Sequence, residues 1–253
     1  MEPEGADERF EQARDRAAQL CLEFKQEEAC ELWNDFLNSV VFKTTWEVLK
    51  TYAEACIEQL PDYHVGYFVD GMASKFMGDF EAAINRFSAV IAFCPDHTLA
   101  LQHKSETLNM MERYPEALEC AKELLRDDPK NPEYLRLSSG ILLLMHRYEE
   151  ARAQIEEAMT LLPGDTALMV DRGICLGFSG NLEGAMKQFA RAEMILKGSI
   201  MSTPRMSTLA FVHLNRGEAR KQLKDHEGGE KEMALGFTLL ELSKAKAFEC
   251  REN

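Results

Sequence analysis

The chain has 253 residues, of which 45% are hydrophobic and 28% are charged, and this balance predicts a packed protein and excludes a disordered one. Acidic residues outnumber basic ones by 43 to 29, giving a net charge of −14. Nucleic acid and anionic membranes are not expected as main partners, because both repel an acidic surface. Half of the excess negative charge lies in residues 1–35.

The sequence shows no sign of secretion or of a membrane-spanning segment. Residues 1–30 contain no apolar stretch before a small-residue cleavage site. One of the longest apolar runs is 141–145, whereas a spanning helix needs roughly 20 apolar residues. The seven cysteines are scattered and form no Cys-x-x-Cys pair, which indicates thiols in a reducing compartment. We therefore expect a cytoplasmic protein.

Three helices are predicted at the N-terminus, near 6–24, 27–40 and 45–59. The acidic residues 1–29 are predicted to form a capping helix. Residues 30–63 end in Pro61 and are interpreted as a degenerate copy of the repeat that follows, with Leu37 and Leu49 where small residues are expected. A competing frame, 10–43, uses Ala29 as its alanine, and the two frames stay open.

Residues 64–199 carry a repeat of 34 residues. Four columns keep this spacing: a proline, an alanine, a small residue and a mostly bulky apolar residue. The columns are Pro61, Pro95, Pro129, Pro163; Ala83, Ala117, Ala151, Ala185; Gly71, Ser105, Ser139, Gly173; and Phe87, Ala121, Ile155, Phe189.

Each repeat is interpreted as two helices joined by a turn. The small residue and the alanine let the two helices approach closely. A further column with the same spacing, Phe80, Tyr114, Tyr148 and Leu182, is mostly aromatic and fills the gap between the two helices from the start of the second one. The proline follows the second helix because it cannot continue it. The turns are predicted at Gly78-Asp79, Glu112-Arg113, His146-Arg147 and Gly180-Asn181.

These columns resemble those of the tetratricopeptide repeat family in four contiguous frames, residues 64–199. The last frame departs from the family pattern, with Lys197 where a proline is expected. The resemblance implies an all-α fold, a right-handed superhelical solenoid of helix–turn–helix repeats, in which the first helices line a concave groove.

After residue 199 the register breaks. Residues 200–253 are predicted to contain a register-shifted unit and a C-terminal capping helix, near 227–248. Thr203-Pro204 is a good helix start, because a hydroxyl can cap the helix and proline suits its first turn. Residues 198–203 are therefore predicted to be an inserted loop.

No catalytic constellation stands out. The sequence contains no Gly-x-Gly-x-x-Gly, Gly-x-Ser-x-Gly or His-Glu-x-x-His motif, and its six histidines show no ligand spacing. We predict that the chain is not an enzyme and has no catalytic residues, no metal ligands and no cofactor.

The family resemblance also implies where a partner would bind. Ligands of this family usually lie along the positions of the first helices that point inward, and here these positions are rich in apolar residues. The predicted peptide-binding groove is Phe68, Met72, Lys75, Phe76, His103, Glu106, Met110, Arg136, Leu137, Leu144, Val170, Asp171, Ile174 and Phe178. The further inward positions are Val65, Val69, Leu99, Gln102, Asn109, Glu133, Gly140, Leu143, Ala167, Gly177, Phe211, Leu214, Asn215, Glu218, Lys221 and Gln222.

One subfamily binds chaperone tails through a carboxylate clamp of lysine, arginine and asparagine. The clamp would need a base in place of Phe68 and Leu137, and asparagine in place of Met72 and His103. Because these residues differ, binding of chaperone tails by such a clamp is not expected.

An exposed apolar strip usually marks an interaction site, and methionine suits surfaces that adapt to varied ligands. The first hypothesis is a non-enzymatic scaffold or adaptor that binds a protein partner through a peptide or an amphipathic helix. The alternatives are a dedicated chaperone for a hydrophobic client and a regulatory subunit of an enzyme complex. The strip could also be core between repeats, or be covered by the last helix of the same chain.

Overall fold

The computed structural model describes residues 6–41, 44–197 and 203–252, with side chains described within 8–41, 44–197 and 207–241. These ranges contain thirteen helices and no strand, which confirms the all-α prediction. The helices are α1 Ala6–Leu22, α2 Gln26–Val40, α3 Trp46–Gln59, α4 His64–Met77, α5 Phe80–Phe93, α6 Thr98–Met110, α7 Tyr114–Asp127, α8 Pro132–Leu144, α9 Tyr148–Leu161, α10 Thr166–Phe178, α11 Leu182–Lys197, α12 Thr203–Gln222 and α13 His226–Glu252. They fall into two compact units, unit 1 (Met1–Leu124) and unit 2 (Leu125–Asn253).

Side-chain caps and prolines fix where the helices begin and end. The side chains of Thr45, Asp79, Asn131 and Asp165 accept hydrogen bonds from backbone N–H groups in the first turns of α3, α5, α8 and α10. The periodic prolines each lie two residues beyond a helix end, after α3, α5, α7 and α9. The spacing of 34 residues therefore marks the exit of every second helix, as predicted.

One backbone turn recurs at six places and joins the helices into pairs. Its central residue is left-handed: Phe24, Gly78, Glu112, His146, Gly180 and Lys224 have φ between 58° and 86°. After each of them, the next backbone N–H donates to a carbonyl five residues earlier, as in Arg147 to Leu142 at 2.9 Å. Four of these turns were predicted from the period, and the turns at Phe24 and Lys224 have the same form.

The turn at Phe24 bears on the organisation of the N-terminus. It joins α1 to α2, and α2 packs more extensively on α1 than on α3. Both features favour the frame 10–43, in which Ala29 is the key alanine and is fully buried. The boundaries at 1–29, 30–63, 64–199 and 200–253 stay predictions, and most of the predicted loop 198–203 lies outside the described residues.

The periodic columns form the core of each unit. Ala83 and Ala117 in unit 1, and Ala151 and Ala185 in unit 2, are fully buried. The bulky column is buried as well. Its members Phe87, Ala121 and Ile155 are fully buried, and Phe189 is only 2% exposed. In unit 1 a further cluster around Trp33 joins α1, α2 and α3, and Trp33 Nε1 donates to Gln59 Oε1 at 3.0 Å.

The small column lets paired helices approach closely. A Cβ added to Gly71 would lie 2.8 Å from the ring of Phe87, and Gly173 faces the ring of Phe189 in the same way. Ser105, which has the equivalent place on α6, donates from Oγ to the carbonyl of Ala117 at 2.8 Å. A larger residue in this column would collide with the bulky residue of the partner helix.

A buried charge network links α11, α12 and α13 in unit 2. Arg216 on α12 donates to Glu193 on α11 and to Glu232 on α13, the latter at 2.8 Å. The fully enclosed His213 lies 2.6 Å from Glu232 through Nδ1. Burial by itself would raise the pKa of Glu193, but hydrogen bonds from Arg216 and Lys197 lower that pKa to about 2. The network therefore holds two carboxylates in their charged form.

Candidate functional site

The inner faces of α8, α10 and α12 form an open cavity of about 320 Å³ in unit 2. We call it the unit-2 groove. Its lining is apolar except for one hydroxyl and one carboxylate. The lining residues are Gly140, Leu143, Leu144, Ala167, Val170, Asp171, Ile174, Thr208 and Phe211.

The walls of the unit-2 groove expose large apolar side chains. Leu144 is 48% exposed and Phe211 is 52% exposed, whereas Val170 is nearly buried at 5%. The described part of α13, which packs against α12, contributes no lining residue. In the residues that the structure describes, the groove is therefore open to a ligand.

Asp171 is the one charged residue among the described residues that line the groove. None of the described side chains donates a hydrogen bond to its carboxylate or forms an ion pair with it. Burial raises the pKa of Asp171 to about 7, although the positive charge of Arg136 acts in the opposite direction. The negative charge of Asp165 adds to the rise. Arg136 itself pairs with Glu133, at 2.7 Å from Nη2 to Oε2.

Replacing Asp171 with asparagine is expected to stabilise the protein at pH 8 but not at pH 4. The folded-state pKa lies above the ordinary value of 3.8, so the stability linked to the protonated carboxyl is present below pH 3.8 and is lost as the pH rises through about 7. Because the side chain is partly exposed, we expect a gain of about 2–3 kcal/mol at pH 8. Urea denaturation at pH 4 and at pH 8 measures this gain in stability. A gain of equal size at both pH values would contradict the raised pKa of Asp171.

The predicted groove residues of unit 1 form a polar cluster. Lys75 Nζ donates to Glu106 Oε2 at 2.7 Å, and His103 Nδ1 lies 3.2 Å from the same oxygen. Burial would raise the pKa of Glu106, but hydrogen bonds from His103, Lys75 and Gln102 lower it to about 2. These charges satisfy one another and leave no free charged group for a ligand.

Of the aromatic and methionine residues predicted to line the groove in unit 1, two are largely exposed and two are half-buried against the core. Phe76 is 53% exposed and stacks on Trp46 at 4.4 Å between ring centroids. Phe68 and Met72 are half-buried against the core around Phe87. Met110 is 55% exposed.

In unit 2 the structure brings four of the predicted residues together and places three elsewhere. Leu144, Val170, Asp171 and Ile174 line the groove. Phe178 stacks on Tyr148 at 4.2 Å and lines two other cavities. Leu137 is half-buried on α8, and Arg136 is exposed beside Glu133.

Thr208 is the lining residue that the repeat pattern missed. It lies on the N-terminal turns of α12, which begins at Thr203, about one turn before the predicted inward position Phe211. The good helix start at Thr203-Pro204 was the signal from which those turns could have been found.

No set of three His, Cys, Asp or Glu side chains is placed to hold a metal ion, as far as the structure describes the chain. In the same residues no helix combines the length and the hydropathy that crossing a bilayer requires.

Paired helices with a recurring left-handed turn and an inner apolar groove define an α-helical repeat protein. Residues 77–141 match the model of the tetratricopeptide repeat family. This match confirms, for that part of the chain, the resemblance to the family seen in its periodic columns.

Several solved structures share the fold. Residues 41 to the end of MamA from Desulfovibrio magneticus RS-1 have a TM-score of 0.63 at 16% identity, covering 68% of this chain and 97% of that one. YrrB, described as a TPR protein with an unusual peptide-binding site, has a TM-score of 0.54 at 17% identity, covering 78% and 97%. Cut9, from the APC/C hetero-tetramer Cut9–Hcn1, has a TM-score of 0.66 at 14% identity, covering 82% and 39%.

At these identities the likeness concerns the fold alone. No curated protein matches the sequence. Any function must therefore be argued from the groove itself.

Proposed function

We propose that this chain is a non-enzymatic interaction scaffold that binds an apolar peptide or amphipathic helix of a partner protein in the unit-2 groove. The observation that supports this most strongly is the open apolar cavity between α8, α10 and α12, with Leu144 and Phe211 half-exposed on its walls. Exposed apolar surface on a folded chain is costly unless a partner covers it, and grooves between helices commonly hold an amphipathic helix.

The charged residues near the predicted site support binding in preference to catalysis. Lys75, His103 and Glu106 are hydrogen-bonded to one another, and the unit-2 groove offers a single carboxylate without a second group positioned to exchange a proton. General acid–base catalysis needs such a positioned pair. The scaffold is therefore proposed to act through shape and apolar contact.

The cysteines support a reducing compartment for this proposal. The six cysteines in the described part of the chain are free thiols. Burial, with a smaller contribution from Cys30, raises the pKa of Cys56 to about 12, so this thiol stays protonated and unreactive at neutral pH. We infer a cytoplasmic protein with a protein or peptide partner.

The double substitution Leu144→Gln/Phe211→Gln is expected to weaken partner binding roughly 10- to 100-fold, because each side chain is about half-exposed and its burial by a partner contributes about half of the 1.5–3 kcal/mol of a fully buried one. The matched control is Leu161→Gln/Met194→Gln, which changes two exposed apolar residues of the same unit outside the groove. Quantitative mass spectrometry of proteins recovered from a lysate measures the change.

The pattern of recovered proteins distinguishes the functions. A single complex lost with the groove variant and kept with the control supports the scaffold. Many unrelated apolar proteins lost in the same way would show a chaperone instead. Equal recovery by all three proteins would contradict binding in the unit-2 groove.

A further inference from the structure

The single carboxylate of the unit-2 groove points to a specificity beyond apolar contact. Building on the proposed function, we infer that the groove selects apolar segments that carry one basic side chain, whose lysine ammonium or arginine guanidinium pairs with Asp171. The partner is thus an apolar segment with one internal positive charge.

Charge complementarity carries this inference. Of the described residues that line the groove, Asp171 alone carries a charge, and the described residues give it no hydrogen bond and no ion pair. A carboxylate beside Val170 and Ile174 has lost part of its water without gaining a partner among these residues, and such a group binds a cation. Arg136, whose positive charge acts on Asp171, pairs with Glu133 and is not among the described lining residues.

The shape of the groove suits a long basic side chain. Gly140 lines the wall, and a Cβ added there would meet nothing within 4 Å. Lysine and arginine place a long aliphatic stem along apolar surface while the charged end reaches a polar group. Leu143 and Leu144 provide that apolar surface on α8.

The protonation state of Asp171 makes the binding dependent on pH. The titratable and charged groups near it are Arg136 on α8, Asp165 before α10 and Cys175 on α10. The two lining residues from α12, Thr208 and Phe211, do not titrate. With a pKa near 7 the carboxylate form rises about tenfold between pH 6 and pH 8, so the affinity for a cation should rise with it.

Selection from a randomised peptide display library on the full-length chain tests the inference. We expect the enriched peptides to be apolar with one central lysine or arginine. By fluorescence anisotropy, Asp171→Asn should weaken their binding at pH 8 about tenfold or more and should remove the dependence on pH. The control Glu157→Gln makes the same change of charge on the exposed face of α9 and should leave the affinity unchanged.

The outcomes separate this inference from the proposed function. Enriched apolar peptides without a basic residue, bound equally by Asp171→Asn but lost with Leu144→Gln/Phe211→Gln, would overturn the selection of a cation and leave groove binding standing. Peptides that bind the groove double variant as well as the natural chain, or no enrichment at all, would overturn both.

A second copy of the chain is another occupant that the experiment must recognise. Sedimentation of the free protein at several concentrations, with and without the groove substitutions, measures it. A dimer that dissociates in the groove double variant would place the second copy in the groove and overturn the inference.

Discussion

Replacing Arg216 with alanine is expected to lower the free energy of unfolding of unit 2 by about 3–5 kcal/mol, because the loss of one partner leaves buried charges uncompensated. Arg216 is 12% exposed and lies between Glu193 at 14% and Glu232 at 13%. These carboxylates come from α11 and α13, so one guanidinium joins three helices. Without it, Glu193 keeps its ion pair with Lys197, but among the described residues Glu232 keeps only its contacts with His213 and, at 3.8 Å, with Arg220.

Hydrogen–deuterium exchange measures this effect helix by helix. Faster exchange is expected in α11, α12 and α13, while α8 and α9 of the same unit change less. The control is Arg152→Ala, whose ion pair with Glu149 is exposed and should contribute less than about 1 kcal/mol. If Arg216→Ala costs no more than Arg152→Ala, the network does not hold these helices together.

The same network predicts how stability responds to acid. The pKa of Glu193 lies near 2, below its ordinary value of 4.5, so its contribution is present above pH 4.5 and is lost as the pH falls towards 2. In Arg216→Ala the stability should fall less steeply between pH 4.5 and pH 2, because the lowered pKa of Glu193 depends on the guanidinium of Arg216.

Replacing Phe189 with alanine is the second change with a large expected effect, about 3–5 kcal/mol. Phe189 is 2% exposed and packs in the core of unit 2 with Met169 and Leu209, and its ring fills the space left by Gly173. The substitution creates a cavity that neighbouring helices share. In repeat proteins each repeat is stabilised by its neighbours, so the loss of stability should spread beyond α10 and α11.

Urea denaturation compares Phe189→Ala with Met194→Ala on the same helix. Met194 is 70% exposed, and its loss should change stability by less than about 0.5 kcal/mol. A second pair of variants tests the close contact between Gly173 and the ring of Phe189. Gly173→Ala should destabilise the natural chain, and it should destabilise the Phe189→Leu variant less. Additive effects of the two changes would contradict the contact.

The repeat made much of the fold predictable, because its core depends on residues at a fixed spacing. Ala151 and Phe189 are buried as their columns predicted, and the turn at His146 has the conformation that its position predicted. The break between α1 and α2 was predicted near residues 25 and 26, but the left-handed turn at Phe24 was not, because it breaks the spacing and uses a phenylalanine where other turns use glycine or a polar residue.

The site was less predictable, because its chemistry depends on which side chains meet. Lys75 and Glu106 were each predicted as groove residues, but only the fold shows that they bind each other across two helices. Conversely, Arg136 was predicted to contact a ligand, but in the structure it forms an ion pair with Glu133 one turn away. The isolation of Asp171 follows from that pairing and cannot be read from spacing.

Asp171 connects the stability of unit 2 to the proposed binding. Its desolvated carboxyl should destabilise the fold at neutral pH, and sites kept at such a cost are often functional. A basic side chain in the groove would restore the lost interaction and stabilise the complex. Asp171→Asn should therefore raise the free energy of unfolding at pH 8 and lower the affinity for a peptide with a basic side chain.

Site-specific photo-cross-linking tests the central claim, that the unit-2 groove is the binding surface, most directly. A benzophenone amino acid is placed at Leu144 inside the groove or at Leu161 outside it, positions 48% and 43% exposed, and each protein is irradiated with peptides selected on the full-length chain. We predict adducts from position 144 that exceed those from position 161 at least about tenfold. Equal adducts from the two positions, or more from position 161, would contradict the claim.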